Sequence, residues 1–230
     1  NLDFSANGDL ANLVVEPGQA PQPNTIADSV IIDVNGEQFG VFGATTTALA
    51  SITSLGNVSV LPEDGASNAD LAAQLQPTVD ALIAQGVDKI IMLGHMQQIA
   101  IELELAELLS GVDIVIGGGS NTIFADATDR LREGDAERDI RDYPEIRTSA
   151  SGEPVLVVNT DGNYRYVGRL VVGFDEQGRV IPATVDASES GAFAADDQGV
   201  ADLGDPAENA RVAEIAEALA EVIIEKDGNT

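Results

Sequence analysis

Two short segments carry the residues that could do chemistry in this chain of 230 residues. His95 is the only histidine, and it follows residues 89–93, an apolar run typical of a buried strand. Residues 117–122 (Gly-Gly-Gly-Ser-Asn-Thr) follow a second such run, 112–116. An imidazole can bind a metal or carry a proton near neutral pH, and a glycine-rich turn after a strand can approach a phosphate. Each segment also has a plain structural interpretation, a satisfied imidazole and an ordinary turn.

Several other kinds of active site are excluded by composition. The chain has no cysteine, which rules out disulfides and thiolate chemistry. No Gly-x-Ser-x-Gly motif occurs, and a serine triad would have to use His95 without any supporting spacing. As a phosphate cradle, residues 117–122 lack the lysine of a P-loop and a clear helix directly after them.

The charge of the chain is strongly negative, with 39 acidic against 11 basic residues and a net charge of −28. A field of this sign repels nucleic acids and anionic membranes, which excludes both as partners. It also repels phosphorylated substrates unless metal ions or local arginines reverse the potential. The excess fits an acidic surface of the halophilic kind, adapted to a salty setting, and Ca²⁺ bound on acidic loops is compatible with it.

Alternating strands and helices must position the two segments. A hairpin is predicted from strands 29–34 and 37–42 around Asn35-Gly36, the preferred type I′ pair, with a loop at 43–57 and a short strand at 58–61. A helix is predicted from Asn68, as its cap, to about Ala84, kinked or divided at Pro77. A second helix over 97–109 separates the two apolar strands. This order predicts a layered α/β fold, in which the His95 imidazole and the glycine-rich turn after Ile116 approach each other along one sheet edge.

The remainder of the chain is more polar. Residues 123–152 are interpreted as a charged insertion, either a solvated loop, a Ca²⁺ site or a gating loop. Strands are predicted at 154–159, 166–174 and 179–185, the last two joined by the turn 175–178. Residues 186–205 are interpreted as a polar linker. An amphipathic helix opening at Asp205-Pro206 then leads toward the end of the chain.

Five segments, in this order along the chain, resemble motifs of a known family: 4–7 (Phe-Ser-Ala-Asn), 39–45, 90–96, 111–122, and 152–160 together with 166–170. They resemble the 5′-nucleotidase and UDP-sugar hydrolase type of calcineurin-like metallophosphoesterases over about residues 1–185. The resemblance implies the C-terminal portion of a four-layer α/β/β/α sandwich. Residues 186–230 are then a polar linker and an amphipathic helix leading to a further C-terminal domain.

The resemblance also implies two divalent metal ions in the complete protein, with Zn, Mn, Fe and Ca all compatible. By resemblance, His95 and Asn121 stand at metal-ligand positions, whereas Gly119 stands where the family has histidine. Asn121 could also be a plain turn residue. The family's Asp-x-His, Gly-Asp and Gly-Asn-His motifs would precede Asn1, because the chain has a single histidine. No catalytic residue is therefore assigned.

The function implied is that of a secreted, metal-dependent phosphomonoester hydrolase acting on a phosphorylated small molecule such as a nucleotide, outside the cell or in the periplasm. The chain by itself is expected to be inactive, since its partners in the site would be the N-terminal half and the C-terminal domain of the same protein. Two alternatives stay open: a degenerate phosphoesterase scaffold acting as an acidic binding or structural protein, and a free-standing Ca²⁺-binding module.

Overall fold

The structure, a computed structural model, describes residues 1–204 and 206–227. The strands are β1 Leu2–Asp3, β2 Ser29–Val34, β3 Glu37–Thr45, β4 Ser59–Val60, β5 Ile90–His95, β6 Ile114–Ile116, β7 Ile123–Phe124, β8 Ile140–Arg141, β9 Glu145–Thr148, β10 Pro154–Val158, β11 Tyr166–Arg169, β12 Gly173–Phe174, β13 Val180–Ile181 and β14 Gly191–Ala194. The helices are α1 Gly8–Ala11, α2 Leu49–Ile52, α3 Asn68–Ala84, α4 Ile99–Leu108, α5 Asp197–Asp202 and α6 Ala210–Asp227.

A six-stranded mixed sheet organises the first compact unit, Asn1–Ala194. Its strand order is β2-β3-β5-β6-β10-β9, in which β3, β5, β6 and β10 run parallel and the two edge strands are antiparallel. The predicted hairpin is confirmed: Asn35 and Gly36 take φ values of 57° and 90°, which the type I′ turn requires. The α/β class inferred from the alternation is therefore confirmed.

Helices α3 and α4 pack on one face of this sheet. Their apolar side chains form the main core with Phe42, Met92 and Val157 from the strands. Two details differ from expectation. Ser67, not Asn68, caps α3 through a capping box with Asp70. The helix is also not divided at Pro77, because tertiary packing of its apolar face outweighs the local cost of proline.

The opposite face of the sheet is only partly covered. The β12–β13 hairpin packs Val180 against Ile114 and Leu156 near the amino ends of the parallel strands. Toward the carboxyl ends, Leu93 and Ile116 keep 46% and 42% of their surface exposed. These two residues are direct neighbours in the ladder between β5 and β6. The described residues thus leave an apolar strip of this face open to solvent.

The polar part of the first unit is more structured than its sequence predicted. The expected single strand 166–174 is two strands, because β11 pairs with β14 whereas β12 pairs with β13. The expected strand 179–185 ends at residue 181 and continues as a 3-10 turn. Residues 191–194, expected to be linker, are β14, with Ala192 almost fully buried. Residues 43–57 contain the end of β3 and α2.

Gly178 makes the tightest backbone approach in the β12–β13 hairpin. Its φ is 80°, and a Cβ atom there would lie 2.3 Å from the carbonyl oxygen of Asp88. Gly178→Ala should therefore lower the free energy of unfolding by about 2 kcal/mol or more, measured by urea denaturation. Gly36→Ala is the matched control, because Gly36 has a φ of 90° and no atom of the described residues lies within 4 Å of the added Cβ. Equal losses in the two variants would contradict a steric role for Gly178.

The second unit begins at Ala195 and contains α5 and α6. The side chain of Asn209 accepts hydrogen bonds from the amides of Arg211 and Val212, so the terminal helix begins at Ala210 and not at the expected Asp205-Pro206. Pro206 precedes the helix, and Asp205 lies outside the described residues. Across the described part of the chain, no helix combines the length and apolarity needed to cross a membrane.

Candidate metal-binding edge of the sheet

The two segments singled out in the sequence meet at the carboxyl edge of the parallel strands. β5 and β6 are adjacent, with Leu93 opposite Ile116 in the register. His95 ends β5, and the glycine-rich turn leaves β6 immediately after that register pair. On the other side, His95 stands opposite Thr45 of β3. The expected meeting of the imidazole and the turn at one sheet edge is confirmed.

Glycine lets the turn lie directly against the imidazole. A Cβ atom built on Gly119 would lie 2.9 Å from His95 Nε2, and one built on Gly118 would lie 3.2 Å from His95 Nδ1. Gly119 also has a φ of 83°, in the left-handed region that favours glycine. His95 itself is exposed. With this backbone, any side chain at position 119 displaces the imidazole.

Asn121 lies in the same turn, two residues beyond Gly119, with a φ of 53°. Its amide oxygen lies against Gly162, where an added Cβ would approach it to 2.3 Å. Its carbonyl oxygen accepts a hydrogen bond of 2.6 Å from Arg138. The turn is also held by Ser120, whose hydroxyl oxygen accepts from Asn159 at 2.9 Å. The structure thus places Asn121 at the predicted edge, with its amide directed toward the 161–165 loop.

A buried ion cluster fixes the loops that flank Asn121. Its members are two aspartates, two arginines and a tyrosine: Asp135, Arg138, Asp161, Arg165 and Tyr166. Arg165 donates to both oxygens of Asp135 at 2.6 Å, and Tyr166 donates to the same carboxylate at 2.6 Å. Arg138 donates to both oxygens of Asp161 at 2.7 and 3.0 Å. The Arg165 guanidinium lowers the pKa of Asp135 to about 2 against the opposing effect of burial.

This cluster corrects the interpretation of 123–152 as a solvated insertion. Asp135 is 3% exposed, and Ile123 and Phe124 are fully buried. Ile123 packs with Ala125, Tyr166 and Ala192 in a second apolar cluster. Asp135 is therefore structural, because its charge is neutralised by Arg138 of the same segment and by Arg165 from the loop before β11.

Glu102 is a site residue that the sequence reasoning missed. It is completely buried, and its Oε1 accepts hydrogen bonds from the Met96 amide at 3.0 Å and the Gly118 amide at 3.3 Å. Burial raises the pKa of Glu102, while these amides lower it. A local signal was available: Glu102 lies three residues after Ile99 and four before Ala106, on the apolar stripe of α4.

A cavity of about 400 Å³ opens beside the turn, on the partly covered face of the sheet. Isoleucines 91, 114 and 116 form its apolar floor, and Asn159 and Asp161 are among the polar residues that line it. Gly117 reaches its rim. An apolar floor with few polar groups is typical of a small-molecule site.

The donor set of this edge fits part of a metal site. An exposed imidazole and an amide oxygen are both ligands that divalent transition metals accept. Within residues 1–204 and 206–227, however, no group of three or more histidine, aspartate or glutamate side chains is arranged to hold a metal. His95 and Asn121 could therefore contribute to a metal centre, but these described residues do not build one by themselves.

The fold and the edge together define a class of protein. A mixed α/β sheet that presents an imidazole and a glycine-rich turn at the carboxyl ends of adjacent parallel strands has the layout in which α/β proteins bind ligands. No protein-family profile matches the chain, but individual proteins of known sequence and structure are similar to it.

Two curated relatives match about two thirds and about three quarters of the chain. The 5′-nucleotidase of Mus musculus is 34% identical over 153 residues, which is 66% of this chain and 24% of the mouse protein. The 5′-nucleotidase of Diplobatis ommata is 33% identical over 174 residues, 74% of this chain and 28% of that protein. The chain therefore spans about a quarter of the length of these curated relatives.

A solved structure shares the fold. The 5′-nucleotidase precursor from Thermus thermophilus superimposes with a TM-score of 0.74 over 98% of this chain and 37% of that chain, at 24% identity. With the sequence relatives, this likeness shows that the chain belongs to the 5′-nucleotidase type of metallophosphoesterases. It corresponds to a region of such a protein.

Proposed function

We propose that this chain is the C-terminal part of the catalytic domain of a metal-dependent phosphomonoester hydrolase that acts on nucleotides. The observation that carries the proposal is the contact between His95 and the Gly118-Gly119 turn at the carboxyl edge of the sheet. It is supported by relatives that are themselves named 5′-nucleotidases.

In the complete protein, His95 would supply one metal ligand and Asn121 a second through its amide oxygen. Bound divalent ions would polarise the phosphate and supply an activated water. The protein's own contribution is to hold the imidazole at a strand end, where the sheet fixes its position. An anionic substrate needs such cations here, since the chain carries a net charge of −28.

The missing ligands would come from a segment preceding Asn1, and the same segment would cover the open strip at Leu93 and Ile116. These two adjacent apolar side chains have nearly half of their surface exposed, which supports packing of another segment against this face of the sheet. In this proposal residues 1–185 complete a metallophosphoesterase domain, and 186–230 lead through α6 to a further domain. The parent protein acts outside the cell or in the periplasm.

A second candidate function is a degenerate scaffold that binds without hydrolysis. Gly119 favours it, because the position that carries histidine in the resembled motif has no side chain here, and the backbone leaves no room for one beside His95. The two candidates differ in whether the complete protein turns over a substrate.

The test uses the complete parent protein, with bound metals quantified and release of phosphate from nucleoside monophosphates measured. We expect divalent metal and hydrolysis in the parent. We expect His95→Ala to lower metal occupancy and rate at least about tenfold, as loss of a coordinating or supporting group does. Gln98→Ala is the control, because Gln98 is exposed in the same loop and makes no side-chain cap bond to α4.

Equal metal content and equal rate in His95→Ala and the parent would contradict the role of His95. Absence of both metal and hydrolysis in the parent would overturn the enzyme proposal in favour of the scaffold.

A further inference from the structure

A single buried carboxylate links the two loops that form the candidate edge. Glu102 lies in the first turn of α4, beneath the loop after β5 and the turn after β6. Its Oε1 accepts from Met96, the residue after His95, and from Gly118, the residue before Gly119. One oxygen atom thus joins backbone from both segments.

The packing around Glu102 is equally close. A Cβ atom built on Gly94 would lie 3.0 Å from Glu102 Cγ, and one built on Gly117 would lie 3.6 Å from it. Both glycines are therefore in contact with the carboxylate-bearing chain. No larger residue fits at position 94 without displacing Glu102, so the packing of this glycine and the position of the glutamate depend on each other.

A core role alone does not account for this residue. Glu102 is 0% exposed among leucines of α4, and its Oε2 has no hydrogen-bond partner among the residues that the structure describes. A buried polar atom without a partner costs free energy, so an apolar side chain would serve packing better. What an apolar side chain cannot do is accept the two amides.

We propose that Glu102 is a positioning residue for the candidate cation site, holding the His95 loop and the Asn121 turn at a fixed separation through its shared Oε1. The proposal rests on the proposed function only for the identification of His95 and Asn121 as ligands. It gives Glu102 the role of an outer residue that orients ligands through the backbone that carries them.

The hydrogen bonds from the Met96 and Gly118 amides to Glu102 can be tested on this 230-residue chain by amide hydrogen exchange. In Glu102→Leu, the Met96 and Gly118 amides should exchange about tenfold faster, because each loses its acceptor. Glu102→Gln keeps an oxygen in place and should restore slow exchange at both amides. Leu105→Ala is the matched control, since Leu105 is fully buried in the same helix and its apolar side chain cannot accept the two amides.

The comparison is made in denaturant concentrations that give Glu102→Leu and Leu105→Ala equal global stability. Selective acceleration at Met96 and Gly118 in Glu102→Leu, with rescue in Glu102→Gln, supports the proposal. Equal acceleration in the leucine and alanine variants overturns it, since that result reduces Glu102 to a packing residue.

A second readout separates this inference from the proposed function. Zn²⁺ is the probe, added to the complete parent protein, where we expect Glu102→Leu to require about tenfold more Zn²⁺ than the wild type for equal occupancy. Failure of the wild-type parent to bind Zn²⁺ would count against the metal site, whereas amide exchange in the 230-residue chain alone decides whether Glu102 holds the two loops.

Discussion

Asp135→Asn is expected to lower the free energy of unfolding by about 2–3 kcal/mol at pH 7, because the partly exposed Arg138 and Arg165 lose the buried counter-charge that they share. Asp135 is 3% exposed and accepts from Arg165, Tyr166 and Arg138. An asparagine amide would direct N–H groups at a guanidinium that needs an acceptor. Urea denaturation of the two proteins measures the difference.

The control for this substitution is Glu137→Gln. Glu137 is an exposed carboxylate in the same 3-10 turn, so removing its charge should change stability by no more than about 0.5 kcal/mol. Similar midpoints for Asp135→Asn and Glu137→Gln would contradict a structural role for the buried ion cluster.

At acidic pH, the wild type and Asp135→Asn should have nearly the same free energy of unfolding. Arg165 holds the pKa of Asp135 at about 2, below its ordinary value of 3.8. The stabilisation by the ionised carboxylate is therefore complete above about pH 5 and is lost as the pH falls through about 2. A gap between the two proteins that stays constant from pH 5 to pH 2 would be inconsistent with this ionisation.

The consequence for the site follows from Arg138. This arginine joins the cluster to the Asn121 carbonyl, at 2.6 Å. Loss of the Asp135 charge removes one of the groups that hold Arg138. The stability of the cluster and the placement of the Asn121 turn are therefore linked.

Asp113 is expected to affect stability in the opposite direction to Asp135. The free energy of unfolding of the wild type should fall as the pH rises, and Asp113→Asn should remove this fall. Burial raises the pKa of Asp113 to about 7, helped by the nearby charges of Glu153 and Asp88 and opposed by hydrogen bonds from the Ile90 and Val180 amides. Between about pH 4 and pH 7 the unfolded chain has released this proton while the folded chain retains it. Rising pH therefore lowers the free energy of unfolding of the wild type by about 4 kcal/mol, a loss that Asp113→Asn does not share.

Unfolding by urea at pH values from 4 to 8 measures this difference. Asparagine resembles the protonated aspartate and keeps an oxygen for the Ile90 amide, which donates to Asp113 at 2.8 Å. Glu176→Gln, at an exposed position of the β12–β13 turn, is the control for general charge repulsion. Parallel stability curves for the wild type and Asp113→Asn would refute the shifted ionisation.

These two carboxylates show the limit of sequence reasoning about charge. Asp135 and Asp113 look like any other carboxylates of an acidic chain, and the sequence leaves open whether 123–152 is a solvated loop, a Ca²⁺ site or a gating loop. Asp135 is paired with a residue 30 positions away, and Asp113 accepts from an amide 23 positions away. Neither partner follows from local spacing, because both depend on how the chain folds back on itself.

Local patterns were sufficient where the signal is local. Asn35-Gly36 fixed the first hairpin through its backbone preference, and apolar runs separated by helical periodicity identified β5, α4 and β6. Parallel neighbours end at one edge, so the meeting of His95 with the glycine-rich turn also followed. Strand pairing did not follow from local patterns. Within residues 166–174, β11 pairs with β14 and β12 pairs with β13, because the choice of partner is a long-range property.

The sequence by itself determined the β2–β3 hairpin, the alternation of β5, α4 and β6, the net negative charge and the imidazole at a strand end, since these depend on composition and periodicity. Tertiary structure alone decided that Glu102 is buried under that edge, that arginines neutralise Asp135 and Asp161, and that Gly119 touches the imidazole. The physical reason is that burial and charge pairing are set by neighbours distant in the chain, and these environments govern whether a carboxylate is solvated, ionised or structural.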